Sequence, residues 1–223
     1  MISDTHKFVF VEMPKTGTTT IAAILEKYKS LPSTEDRDSI AWRHRSASEI
    51  KKSFDELGKD WDDYFVFTFV RNPYDRIVSL YSFMHKTIKD YETYAKPRNR
   101  IPPHMDWVEM CYEVTGKNPT FKDYVKSLEG EPPDPLDDIF HFTHEGETKL
   151  VDFVGRFENL QKDFNIVCDK IGIPKHKLPH KNKSEHSHYS KYYDDNAIRI
   201  VRNRFEKSIE YFGYDFGKRY CIH

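Results

Sequence analysis

The chain has 223 residues, 38% of them hydrophobic and 15% aromatic, enough to bury a sizeable core in one domain or in one domain with an elaborated cap. Its 35 Lys and Arg against 36 Asp and Glu leave a formal net charge of −1, which excludes the basic excess of a general nucleic-acid binder. No apolar run approaches the roughly 18 residues of a membrane-spanning helix, and Cys111, Cys168 and Cys221 are too few and too far apart for a metal knuckle or a disulfide framework.

Phe8 to Glu12 reads as a buried strand. It runs into the loop Pro14-Lys15-Thr16-Gly17-Thr18-Thr19-Thr20, after which Ile21, Ile24, Leu25 and Tyr28 fall at helical spacing. The stretch from Leu31 to Ile40 is a loop by composition. Ser46 and Glu49 form a capping box, and Ala47, Ile50, Phe54 and Leu57 mark one face of the helix behind it. Tyr64 to Val70 is a second strand, apolar throughout except for Thr68, as expected of a strand deep in a parallel sheet. Pro73 opens a helix whose inner face is Ile77, Leu80, Tyr81 and Met84.

From Thr87 to Gly146 prolines break the pattern, and the region reads as a cap over the sheet's ligand edge. Within it, Asn118-Pro119 opens a short helix with Phe121, Tyr124, Val125 and Leu128 inward. Leu150 to Phe157 is a third strand, followed by a helix from Leu160 to Ile171 with Phe164, Val167, Cys168 and Ile171 inward. A polar loop spans Pro174 to Ser190, and a last helix carries Ile198, Val201, Phe205, Ile209 and Phe212. Strands alternating with helices predict an α/β fold: a P-loop-like, three-layer arrangement with a central parallel sheet flanked by helices. Ligands in such sheets lie at the carboxyl ends of the strands.

The first loop offers backbone N–H groups, hydroxyls and one ammonium at a helix N-terminus, which is where an anion binds. It is not a Walker A loop, because Lys15 precedes its only glycine, so a nucleotide kinase or GTPase fits poorly. Gly17 lets the backbone approach a ligand, and Lys15 can place a point charge on a bridging or leaving oxygen. The plainer reading is a tight turn whose threonines are helix caps. A second junction, FTFVRNPYDRIVSLYSF, repeats the layout: Arg71 at a strand end can clamp a phosphate and Ser79 can add a hydroxyl. Alone, Arg71 would be read as a structural partner of Asp75. Two such loops point to a ligand with two separate phosphate groups.

Taken together, PKTGTTT followed by FTFVRNPYDRIVSLY resembles the sulfotransferases that use 3′-phosphoadenosine 5′-phosphosulfate (PAPS), especially the carbohydrate branch of heparan and chondroitin enzymes. GRFENLQKDF, LPHKNKSEH and the ending YDDNAIRIVRNRFEKSIEYFGYDF resemble later segments of that family, so the likeness spans most of the chain except Thr87–Gly146. It implies that Pro14, Lys15, Thr16, Gly17, Thr18, Thr19 and Thr20 hold the 5′-phosphosulfate and that Arg71 and Ser79 hold the 3′-phosphate. Lys183 and Ser184 in the closing loop, and Arg156 unless it simply pairs with Glu158, complete the expected nucleotide site.

Sulfuryl transfer needs stabilisation of the leaving phosphate, a role for Lys15, and a base for the acceptor hydroxyl. The resembling family often has its base histidine between the two loops, where His44 stands, although a surface histidine beside Arg43 and Arg45 would look the same. His104, His141 and His144 are the alternatives, and the paired His-x-His of the uronyl-type enzymes is missing at this position. A sulfuryl group carries less charge than a phosphoryl group, so no metal is required. The histidines at 176, 180, 186 and 188 read as a solvated loop rather than a zinc site, since Pro179 interrupts any helix there. Tyr91, Tyr94, Trp107 and Tyr112 could stack on a sugar or aryl acceptor, or pack the cap itself.

The expected activity is therefore transfer of a sulfuryl group from PAPS to a hydroxyl acceptor, a glycan. The alternatives are a catalytically silent nucleotide-binding module and an atypical nucleotide kinase. With no signal or anchor visible the chain reads as a soluble cytoplasmic protein; a domain trimmed from a Golgi-type enzyme would look the same.

Overall fold

In the computed structural model the described residues are 1–30, 44–96, 108, 109, 111, 113, 115, 116, 118–130, 138–179 and 187–217. Lys183, Ser184, His104, Trp107 and Tyr112, and the side chain of Tyr94, lie outside them. The chain divides into two compact units, one drawn from residues 1–71 and 138–183, the other from 72–137 and 184–219.

The first unit is built on a four-stranded sheet. Its strands are β1 (Ile2–Ser3), β2 (Phe8–Val11), β3 (Phe65–Val70) and β6 (Phe153–Arg156), in the spatial order β1-β2-β3-β6. β2, β3 and β6 run parallel, with Val11 opposite Thr68 and Val70 opposite Arg156. β1 is antiparallel to β2, a two-residue edge strand too short to leave a periodic signal. The sheet is thus mixed, with the expected parallel core. Alternation along each strand puts Phe8, Phe10, Phe67 and Phe69 on one face. There they pack with Ile21 and Leu25 of α1 (Thr18–Leu25) and with Phe164, Val167 and Cys168 of the helix Leu160–Ile171. Val9, Val11, Val66 and Val70 on the other face are also buried, so the sheet is covered on both sides.

The first unit also holds α2 (Ala47–Glu56), whose N-cap Ser46 forms the predicted capping box with Glu49. In the second stretch of the first unit, α5 (Ile139–Thr143) and a hairpin of β4 (His144–Glu145) and β5 (Thr148–Lys149) lead into β6, which is shorter than the strand expected over Leu150–Phe157. The helix after β6 is α6 (Leu160–Ile171).

The second unit is helical. Its core joins Tyr74, Ile77, Val78 and Met84 of α3 (Pro73–Asp90) to Phe121, Tyr124 and Val125 of α4 (Phe121–Ser127). Ala197, Ile200 and Val201 of α7 (Asp195–Arg204) and Ile209 of α8 (Glu206–Tyr211) complete it. The single C-terminal helix of the sequence reading is two helices, broken where Phe205 leaves helical geometry at φ −114°, ψ 23°. Residues 87–146, expected as a cap, contribute α4 to this unit and α5 with β4 to the first.

Candidate active site

Because β2, β3 and β6 are parallel, their carboxyl ends share one edge of the sheet in the first unit. β2 delivers the loop 12–17, β3 delivers Arg71, and β6 delivers Arg156 and Phe157. The loop is held in a conformation few side chains adopt: Lys15 has φ 66° and Gly17 has φ 86°. Left-handed backbone at a non-glycine residue costs about 1–2 kcal/mol, so neighbouring contacts must hold Lys15 there. Gly17 tolerates its angle, and it has a second reason to lack a side chain. A Cβ at this position would lie 2.8 Å from Leu160 Cδ2 and 3.4 Å from the Phe157 ring.

Gly17 is also the N-cap of α1, and no side chain caps that helix. The Thr20 amide donates to Gly17 O at 3.0 Å, and the amides of Thr18 and Thr19 ahead of it stand at the helix N-terminus, where an anion is favoured. A helix N-terminus with the Lys15 ammonium beside it fits a phosphate-bearing ligand. Lys15 is half-buried, Thr18 and Thr20 are buried, Thr19 is exposed and Pro14 is buried. The Thr16 hydroxyl donates to Met13 O at 2.8 Å, so it is committed inside the loop and its amide is what it offers a ligand.

Arg71 is buried at 5% exposure. Its Nη1 donates to Lys15 O at 3.1 Å, and its guanidinium lies over the Phe157 ring, 4.2 Å from the centroid. A hydrogen bond from a charged donor contributes about 1.5–3 kcal/mol, comparable to the strain at Lys15, so this contact helps to hold the loop. Arg156 ends β6 half-buried; its amide is fixed by Asp163 Oδ2 at 2.6 Å. Ser79 sits buried on α3, in the second unit.

His44 is half-buried in the first unit, with φ 87°. Its Nδ1 lies 2.7 Å from Glu12 O, the carbonyl that leads into the loop. A carbonyl only accepts, so Nδ1 carries the proton and a neutral ring presents Nε2 as its basic nitrogen. Of the alternatives, His141 is exposed, whereas His144 is buried, stacked on Phe140 with ring centroids 3.8 Å apart and hydrogen-bonded to Thr143 Oγ1. Among the described residues there is no group of three or more His, Cys, Asp or Glu that could hold a metal ion. Phe157 and the Glu12 carbonyl were not singled out by the sequence; the aromatic after the strand-ending arginine was the one trace of the former.

A sequence model of the sulfotransferase family matches residues 1–215. The chain belongs to that family. Among its sulfotransferase-family relatives is carbohydrate sulfotransferase 14 of Danio rerio, 21% identical over 79% of this chain and 49% of that protein. Human carbohydrate sulfotransferase 9 is 29% identical over 78% of the chain and 41% of its own length. Carbohydrate sulfotransferase 10 of Pongo abelii is 24% identical over 96% of the chain and 66% of its own. The chain spans about half the length of the first two of these relatives. No solved structure matches it significantly. No helix among the described residues is long and apolar enough to cross a membrane.

Proposed function

We propose that this chain transfers a sulfuryl group from PAPS to a hydroxyl of a carbohydrate acceptor. The observation that carries the reading is the N-terminus of α1, without a side-chain cap, behind a turn in which Lys15 and Gly17 are left-handed, with the Arg71 guanidinium hydrogen-bonded to the same turn. When bound, PAPS supplies the sulfuryl group and a leaving group that carries both phosphates.

Residues 14–20 hold its 5′ end through amides, hydroxyls and the Lys15 ammonium. Arg71 holds the 3′-phosphate, with Ser79, Arg156, Lys183 and Ser184 assigned to the same nucleotide from the family likeness. Lys15 stabilises negative charge on the leaving phosphate, an electrostatic role that needs no metal. His44 takes the acceptor's proton on Nε2, its tautomer set by Glu12 O. The carbohydrate acceptor is supported by the names of the relatives.

The test is incubation with PAPS labelled in its sulfuryl group and a panel of glycans. The reading expects label on a glycan, lost in Lys15→Ala. Firm nucleotide binding with no transfer to any glycan, aryl alcohol or peptide hydroxyl would instead mark a silent nucleotide-binding module.

A further inference from the structure

Arg71 does something in this fold that gripping a phosphate does not require. One of its five N–H donors is spent on Lys15 O, and its guanidinium carbon sits over the Phe157 ring. The same ring faces Gly17, within 3.4 Å of where a Cβ would stand. Phe157 is therefore wedged between the arginine and the turn.

The consequence follows from peptide geometry. In a trans peptide the C=O and the next N–H point in opposite directions. Anchoring Lys15 O on Arg71 fixes the orientation of the Lys15–Thr16 peptide and directs the Thr16 N–H away from the guanidinium, next to the left-handed backbone of Lys15 at φ 66°. We propose that Arg71, backed by Phe157, is a positioning residue for the 5′-phosphosulfate loop, acting through Lys15 as well as on a 3′-phosphate. The two anion sites are then mechanically linked, and loss of Arg71 weakens ligands that carry no 3′-phosphate. The inference rests on the reading of residues 14–20 as the 5′ site.

The experiment titrates adenosine 5′-phosphosulfate, which lacks a 3′-phosphate, into the wild type and into Arg71→Ala, Arg71→Lys and Phe157→Leu, each checked by thermal melting. A simple 3′ clamp leaves all four affinities equal. Positioning costs about tenfold or more in Arg71→Ala, the scale of one charge-assisted contact, and Phe157→Leu moves the same way. Arg71→Lys separates the two roles: it keeps part of the preference for 3′-phosphoadenosine 5′-phosphate over ADP, yet does not restore affinity for adenosine 5′-phosphosulfate. Unchanged affinity for that ligand in folded Arg71→Ala or in Phe157→Leu overturns the inference while leaving the nucleotide reading intact. No binding of it by the wild type overturns the 5′-site reading and the inference with it.

Discussion

The imidazole of His44 donates its Nδ1 proton to the carbonyl oxygen of Glu12 across 2.7 Å, which ties the segment two residues ahead of the Ser46 cap of α2 to the residue that follows β2. His44 holds this contact at φ 87°, a backbone angle that glycine adopts without cost and histidine does not. Strain of this kind, about 1–3 kcal/mol, persists where surrounding structure over-determines it and clusters at functional sites. His44→Gly should therefore fold at least as well as the wild type, bind nucleotide within about twofold, and lose transfer by about 10²–10⁴-fold, the range of a general base. Added imidazole should restore part of the rate. Full activity in His44→Gly would move the base elsewhere.

Lys15 allows the same separation of strain from chemistry. Lys15→Gly relieves φ 66° and removes the ammonium. The melting temperature should not fall, while kcat should drop by about 10²–10³-fold, the size of a lost electrostatic contact to developing charge. Thermal melts beside steady-state kinetics check both halves.

Gly155 is a prediction about the sheet. It faces Phe69 across the β3–β6 pairing, and a Cβ there would lie 2.4 Å from Cε1 and 2.6 Å from Cδ1 of that ring. Phe69 is fully buried and has nowhere to yield. Gly155→Ala should cost about 1–3 kcal/mol by overpacking, read as a lowered denaturant midpoint at unchanged slope.

Asp4 accepts from Lys59 Nζ and from Tyr64 OH, both at 2.5 Å. The Lys59 bond first, and then the Tyr64 bond, hold the Asp4 carboxyl below its ordinary value of 3.8. Its stabilisation is present above that value and is lost as pH falls through the lowered one. Burial, then the bond to Asp4, pushes the Tyr64 phenol from 10.0 up to about 12. That contribution is complete below pH 10 and is lost as pH rises towards 12. Asp4→Asn should flatten the acid limb of a melting curve against pH, and Tyr64→Phe the alkaline limb.

The three parallel strands, the Ser46 cap and the Pro73 helix start were legible because each rests on local pattern: apolar runs, a four-residue box, a proline at the first helical position. β1 was not, since two residues carry no period and its pairing depends on β2. Residue types marked the loop 14–20 as a candidate anion site, but not the angles that shape it: the positive φ at Lys15 goes with a contact to Arg71, 56 residues away. His44 could be nominated by its place between the loops; its tautomer depends on Glu12, which pattern alone could not pair with it. Thr120 and Asp123 form a second capping box, and this box rather than Asn118-Pro119 opens α4.

The proposed function requires binding of a nucleotide phosphorylated at both its 3′ and 5′ positions. The decisive measurement is calorimetric titration with 3′-phosphoadenosine 5′-phosphate beside ADP. The first should bind tightly and the second weakly, with the difference lost in Arg71→Ala. Equal affinity for the two, or no binding of either, would contradict it.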